Sequence, residues 1–594
     1  MKYIEIITLA FVLGFLAPKS LVAQESARKD SSLSRELILE KEYNLSVRDV
    51  SKISYLPEIK EPEATKANVE FSNFTIPYEL QPSLNILQPA DYLTALVSSK
   101  KRGYAHLAVG SFVDIDADLG LSLINTSSSS LNMWGMHRSS NGNVKYLQDD
   151  EKQKMRQYVS SLGLAFNKEL SLLRFFVDAK YTFAAFNYYG FTPSVNSFTS
   201  IPLSDRSILK GKNQINNIFD LDLGLSSKGI NDINYSADFT YAYFTQKHSG
   251  IKEQEAIAWK YFEGAKENIL KFKGDINKAL ANEKRIGLGF DFRNTAYSLP
   301  TAIKDSFNSY ENYGVFAVNP YFIMEGDQWD TRLGLRASIL INQVDKVSFA
   351  PDLAFNFRPK ENILMYLLAQ GEVKDNSNRR MYDENRYVSP LYRVLDADTR
   401  LEASLGIKSS VLKRFWFDVY TSYSYTKGEH FFVSSYSKSS DLDLNVAVFE
   451  PCYATAKTWT LGTNMKYSLN KIFDLELRAK YAKWTVDANE TNSFNNGIIE
   501  AWYKPSFESD INLSYSFLPA PIKLNLIYHL ETGLKAFEAS LKDIHQVNMQ
   551  ASYTLNDNFS FYLKGNNLLF QRYELWYAYP AHNFNVMAGI NIKF

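Results

Sequence analysis

The stretch VDIDADLGLSL (residues 113–123) alternates without a break. Val113, Ile115, Ala117, Leu119, Leu121 and Leu123 stand against Asp114, Asp116, Asp118, Gly120 and Ser122. A period of two puts every second side chain on one face of an extended strand. The same alternation recurs over residues 219–226, 233–243, 459–469 and 473–481, and in the last stretch, 584–594. These segments run to about 10–14 residues, against about 5–6 for a soluble strand and about 9–11 for a tilted strand that crosses a bilayer. Their polar faces mix Asp, Lys, Arg, Asn, Ser and Gly. That mixture suits a wet lumen, while the apolar face suits lipid.

Connection lengths are an independent test. The alternation and its breaks predict 22 strands between residues 104 and 594. Every even-to-odd connection is short, as in SSKG (226–229), FRPKEN (357–362), SVLK (410–413), LPAP (518–521) and NDN (556–558). Most odd-to-even connections are long, as in 188–216, 246–267, 375–399, 428–455 and 486–503. The expected fold is therefore all-β: a transmembrane antiparallel β-barrel of about 22 strands over 101–594, with short periplasmic turns and long extracellular loops. Closure removes the free edges that so many strands would otherwise expose.

Composition narrows the function classes. The chain has 594 residues, 65 basic against 65 acidic, and a mean hydropathy of −0.26. Zero net charge argues against a nucleic-acid partner, which requires a basic face. One cysteine, Cys452, leaves no disulfide framework and no multi-cysteine metal site. The 38 Tyr and 40 Phe cluster near strand ends, as in FNYYG (186–190) and RYELWYAYP (572–580), where interfacial girdles are expected.

The N-terminal part has a different composition. Residues 1–23 combine Lys2, an apolar run over Ile6–Ala17 and a small residue at Ala23, the pattern of a signal peptide. Residues 24–100 are charged and carry Pro57, Pro62, Pro77, Pro82 and Pro89, which reads as a largely extended periplasmic arm. Ser34 is placed to cap one short helix in it. The arm is the expected docking point for a periplasmic or lipoprotein partner.

Candidate functional side chains fall into two groups. Asp114, Asp116, Asp118, Asp220, Asp222 and Asp238 lie on polar faces and would line the lumen as an acidic ladder. Arg379, Arg380, Arg386 and Arg393 crowd the most charged long loop and suit an anionic ligand. Neither Walker A nor G-x-S-x-G is present, and the seven His show no metal-ligand spacing, so no cofactor, metal or catalytic residue is expected. Asp543 and His545 are the nearest approach to a catalytic pair, and a solvated loop pair is the expected reading.

Two stretches resemble the TonB-dependent receptors. In the C-terminal FSFYLKGNNLLFQRYELWYAYPAHNFNVMAGINIKF, residues Asn567, Leu568, Tyr573 and Phe594 match that family's closing strands. In ENRYVSPLYRVLDADTRLEASLGIKSS, residues Leu401, Glu402, Leu405, Gly406 and Lys408 match its mid-barrel segment. The resemblance covers roughly 104–594 and suggests the type found in Bacteroidetes outer membranes. It implies transport or uptake across the outer membrane, with Phe594 as the signal to the barrel assembly machinery. The family fills its barrel with an N-terminal plug, and residues 24–100 lack the Gly-rich alternation of one. Loops, the arm or a partner are then expected to occlude the lumen. A non-transporting scaffold subunit of an outer-membrane complex is the alternative.

Overall fold

A computed structural model describes residues 101–594 apart from 191–212, 249–263, 300–311, 390–394, 488–498 and shorter pieces of other connections. The proposed signal peptide, the arm and its Ser34 helix lie outside the described residues.

Twenty-two strands follow one another from Gly103–Gly110 to Asn585–Lys593 in a single antiparallel sheet. The first strand pairs with the last, from Tyr104 opposite Lys593 to Gly110 opposite Met587, so the sheet closes on itself. The seam is tied off by the chain end, where Gly103 N and Arg102 N donate to Phe594 O and Phe594 N donates to Gly103 O. Each of the 22 strands expected from the alternation is present, and the even-to-odd turns span only two to five residues. Eight of the eleven odd-to-even connections are eleven residues or longer.

The pair Trp329–Ile341 and Val347–Lys360 illustrates how sequence makes wall. Leu333, Leu335, Ile339 and Ile341 are exposed on the outside, as are Val347, Phe349, Leu353 and Phe355 opposite them. Arg332, Arg336, Asp352 and Asn356 occupy the alternate, inward positions, and Arg332 Nε donates to Asp352 Oδ2 at 2.7 Å. A belt of exposed Leu, Val, Ile and Phe right around the sheet would be untenable in water and is at home in hydrocarbon.

The mid-barrel resemblance rests on wall packing. Gly406 lies opposite Tyr366, whose ring covers it so closely that a Cβ there would stand 2.4 Å from the hydroxyl oxygen. Lys408 leans over the same ring and pairs with Asp418 at 3.5 Å. The closing motif is a turn. Asn567 takes φ 51°, an unusual conformation that Asn tolerates. Its side chain accepts from Gln571 N at 3.1 Å and donates to Gln571 O at 2.8 Å. Tyr573 is fully buried beside it.

Some strands continue far past the membrane belt. Phe415–Ser435 and Val448–Leu469 are 21 and 22 residues long and form a tall hairpin at the long-loop end. Cys452 sits in this hairpin, buried, with its thiol donating to Phe431 O at 3.3 Å.

Candidate functional site

Five of the eleven connections at the long-loop end meet, with the strand ends beside them, in one buried core. Tyr188, Tyr387, Phe432, Phe449, Tyr503, Trp576 and Tyr579 are its larger members. Tyr387 and Tyr579 stack at 3.7 Å between ring centroids, and Tyr189 meets both edge-on. Trp576 packs against Phe432, Phe449 and Tyr503. The stretches FNYYG and RYELWYAYP therefore do not form interfacial girdles. Tyr188, Tyr189, Trp576 and Tyr579 are 5% exposed or less, inside a cap that joins residues up to 391 positions apart. The sequence signal for this burial is the crowding of aromatics after a strand end rather than on its outward positions.

The first part of the connection 375–396 reaches wall residues on the inward face of the barrel. Ser377 begins a helix, Asn378–Glu384, and its hydroxyl accepts from Arg380 N. The free amides of Asn378 and Arg379 donate to the Glu267 carboxylate on the wall, at 2.8 and 3.1 Å. A carboxylate at this end satisfies donors that the helix itself leaves open. Arg379 forks onto Asp220, with Nη2 donating to Oδ2 at 3.0 Å, and Lys180 reaches the same carboxylate at 3.2 Å. At the helix end, Glu384 meets His430 Nε2 at 2.6 Å and Lys504 Nζ at 3.0 Å. Burial alone would raise the Glu384 carboxyl, but His430 and Lys504 outweigh it and hold it well below the usual carboxylate range. Asp375 follows the same pattern: Arg293 and Lys271 overcome its burial and keep it low.

The helix is thus held on opposite parts of the ring by three carboxylates. Two are on the wall or the helix facing a basic partner, and one caps the helix start. Between the helix and the wall lies a cavity of about 830 Å³. Its lining is mixed: Lys180, Lys271, Lys273, Arg336 and Arg380 alternate with Asp178, Asp222, Asp291, Glu372 and Asp383.

The expected acidic ladder lies on the inward face, but its charge is largely answered. Arg138 donates to Asp118 at 2.7 Å and lies 3.7 Å from Asp116, and His106 Nδ1 meets Asp118 at 2.9 Å. Asp114 is buried and accepts from Asn585 Nδ2 at 2.6 Å. Asp222 accepts from Thr240 at 2.6 Å, and Asp220 belongs to Arg379. Asp238 faces inward across from Gly224. Two of the loop arginines are likewise engaged: Arg379 on Asp220, and Arg380, whose Nη1 donates to Asp375 O at 2.7 Å. Arg386 follows the helix next to Tyr382, and Arg393 lies outside the described residues. Asp543 accepts from Gly533 N and His545 contacts the Tyr528 hydroxyl, so they serve separate partners.

Among solved structures, the chain is similar to the ferric enterobactin receptor PfeA of Pseudomonas aeruginosa. The TM-score is 0.58 at 12% identity, covering 84% of this chain and 80% of that one. It is similar to the FrpB iron transporter of Neisseria meningitidis, with a TM-score of 0.61 at 11% identity over 84% and 83%. The ferric-catecholate import receptor Fiu of E. coli gives 0.56 at 10% identity over 83% and 82%. The fold is that of the TonB-dependent receptors. No family model and no curated protein matches the sequence. The closed barrel and its apolar belt make this a multi-strand outer-membrane protein. The neighbours named above are receptors and transporters, not enzymes.

Proposed function

We propose that this protein is an outer-membrane uptake receptor whose lumen is closed from the extracellular side by its own loops. The observation that carries the reading is the segment 375–396, anchored at once to Asp220, Glu267, His430 and Lys504 around the ring. A ring of 22 strands is wide enough to leave an aqueous hole unless something fills it. A folded-in loop with an aromatic core above it is a filler that excludes water. The likeness to iron and siderophore receptors supports uptake as the purpose of so wide a barrel. In this reading Phe594, at the closing seam, is the residue offered to the barrel assembly machinery.

Cells provide the test. A chain with residues 376–395 replaced by a short Gly-Ser link should admit large hydrophilic antibiotics that the intact outer membrane excludes. The unaltered chain should not. Equal sensitivity of the two would remove the loop from this role. The scaffold reading predicts instead a partner that co-purifies with the barrel in stoichiometric amount and no gain in permeability when the loop is cut.

A further inference from the structure

The connection 375–396 begins and ends on one wall residue. Its first residue, Asp375, and its last, Asp396, both bear on the Arg293 guanidinium. Arg293 pairs directly with Asp396, whose side chain is fully buried, and its Nη1 donates to Val373 O at 3.3 Å. Asp375 lies 3.5 Å from Lys271, which stands opposite Arg293 on the adjacent strand. The Tyr313 hydroxyl donates to Asp375 Oδ1 at 3.2 Å, and Ser377 N donates to the same oxygen at 2.9 Å. Arg380 on the helix and Glu267 on the wall, with Tyr297 beside it, complete the groups around Asp375. Asn376 Nδ2 donates to Leu395 O at 2.8 Å, so the two ends of the loop are also tied to each other. Asp396 N donates to Gln343 Oε1 at 3.3 Å, while Asp396 Oδ1 is buried with no hydrogen-bond partner among the described residues. The next charges along the rim, Asp345, Asp398, Arg400 and Lys427, answer one another.

We propose that Asp375, Asp396 and Arg293 form a proton-dependent clasp, which seats both ends of the loop at neutral and lower pH and loosens in alkaline medium. The inference rests on the reading of this loop as the closure of the lumen. Its physical basis is one guanidinium shared by two carboxylates. Asp375 has Lys271 and two hydrogen bonds besides Arg293, and together they keep its carboxyl low despite burial. Asp396 relies on Arg293. Burial disfavours its charged form, Arg293 offsets part of that, and Asp375 nearby adds to it, so the carboxyl is pushed up to about 7. The seated clasp therefore holds a proton that the released loop, with an ordinary Asp carboxyl near about 3.9, gives up. The clasp's contribution is complete below that ordinary value and is lost as pH rises through about 7. The anchors on Asp220, Glu267, His430 and Lys504 lie elsewhere along the loop. The clasp thus sets how readily the loop lifts, and those anchors keep it in place.

Hydrogen exchange on the full chain in a neutral detergent is the test. Rates across 375–388, corrected for the intrinsic effect of pH on amide exchange, should rise about tenfold between about pH 6 and about pH 8.5, with the barrel strands unchanged. D396N keeps the shape of the protonated carboxyl and cannot ionise, so its corrected rates should change less than about twofold over that range. D375N removes the repelling carboxylate and should shrink the response to about threefold or less. Heat-modifiable migration verifies that each variant is a folded barrel, and if D396N does not fold, D375N carries the test. No rise in the unaltered chain would overturn the clasp. So would a full rise in D396N or in D375N. Exchange reads how the loop is seated and not what passes the barrel. A flat response therefore removes the clasp alone, and a clasp that responds stands even where cutting the loop leaves permeability unchanged.

Discussion

The belt and the cap place the same residue types by opposite rules. In the belt, Leu335 and Arg336 are chain neighbours, one in lipid and one in the lumen beside Asp291. Their fates follow from strand parity alone. In the cap, Tyr387 and Tyr579 stack although 192 positions separate them, and nothing local joins them. A belt residue is decided by its neighbours at i±2, whereas a cap residue is decided by where five connections converge. The belt is therefore robust to what the loops do, and the cap depends on the belt for its frame.

That contrast can be broken from either side. The largest local effect is expected at the aromatic stack. Tyr387→Ala removes a fully buried ring, and such truncations cost about 3–5 kcal/mol. The loss should appear as faster hydrogen exchange and proteolysis across 378–388 and 574–580, with the barrel strands unchanged. If strand protection falls equally, cap and belt are one cooperative unit and the contrast is wrong.

A charge in the belt comes next. Leu335→Arg places a guanidinium in hydrocarbon, at about 2–4 kcal/mol near the bilayer midplane. Folding into vesicles should weaken by that amount, as read by urea titration of tryptophan fluorescence, while cap exchange in the folded fraction stays as it was. Arginine at the very next position is already tolerated because it faces water and Asp291.

The smallest effect depends on pH. Glu384 is held below its ordinary range by His430 and Lys504, so it binds its proton less readily in the folded cap than when released. Its contribution is then complete above the unfolded carboxyl value of about 4.3. It is lost as pH falls through the lower folded value. Cap exchange should quicken below about pH 4, and Glu384→Gln should flatten that dependence. A pH response unchanged by the substitution would free Glu384 from the latch.

How much was legible in the sequence follows the same division. Strand number, order, closure and the two ends were readable because alternation and connection length are local properties. Asp116 and Asp118 were readable as inward, but not Arg138 opposite them, since cross-strand register is not written in either strand alone. The cluster Arg379–Arg380 stood out as charge, yet its use was hidden. Arg379 reaches Asp220 from 159 positions away, and only the fold brings the two together. FNYYG and RYELWYAYP suggest girdles because a Tyr-rich strand end looks alike whether it meets lipid or another loop. Their positions after the last outward strand residue, where alternation stops, were the available clue.

The central claim is that the cap closes the barrel, and planar-bilayer conductance tests it most directly. The purified full chain should be silent. The chain with 376–395 replaced by a Gly-Ser link, verified as folded by heat-modifiable migration, should give large stable steps. Open steps from the unaltered chain, or silence from the folded deletion, would contradict it.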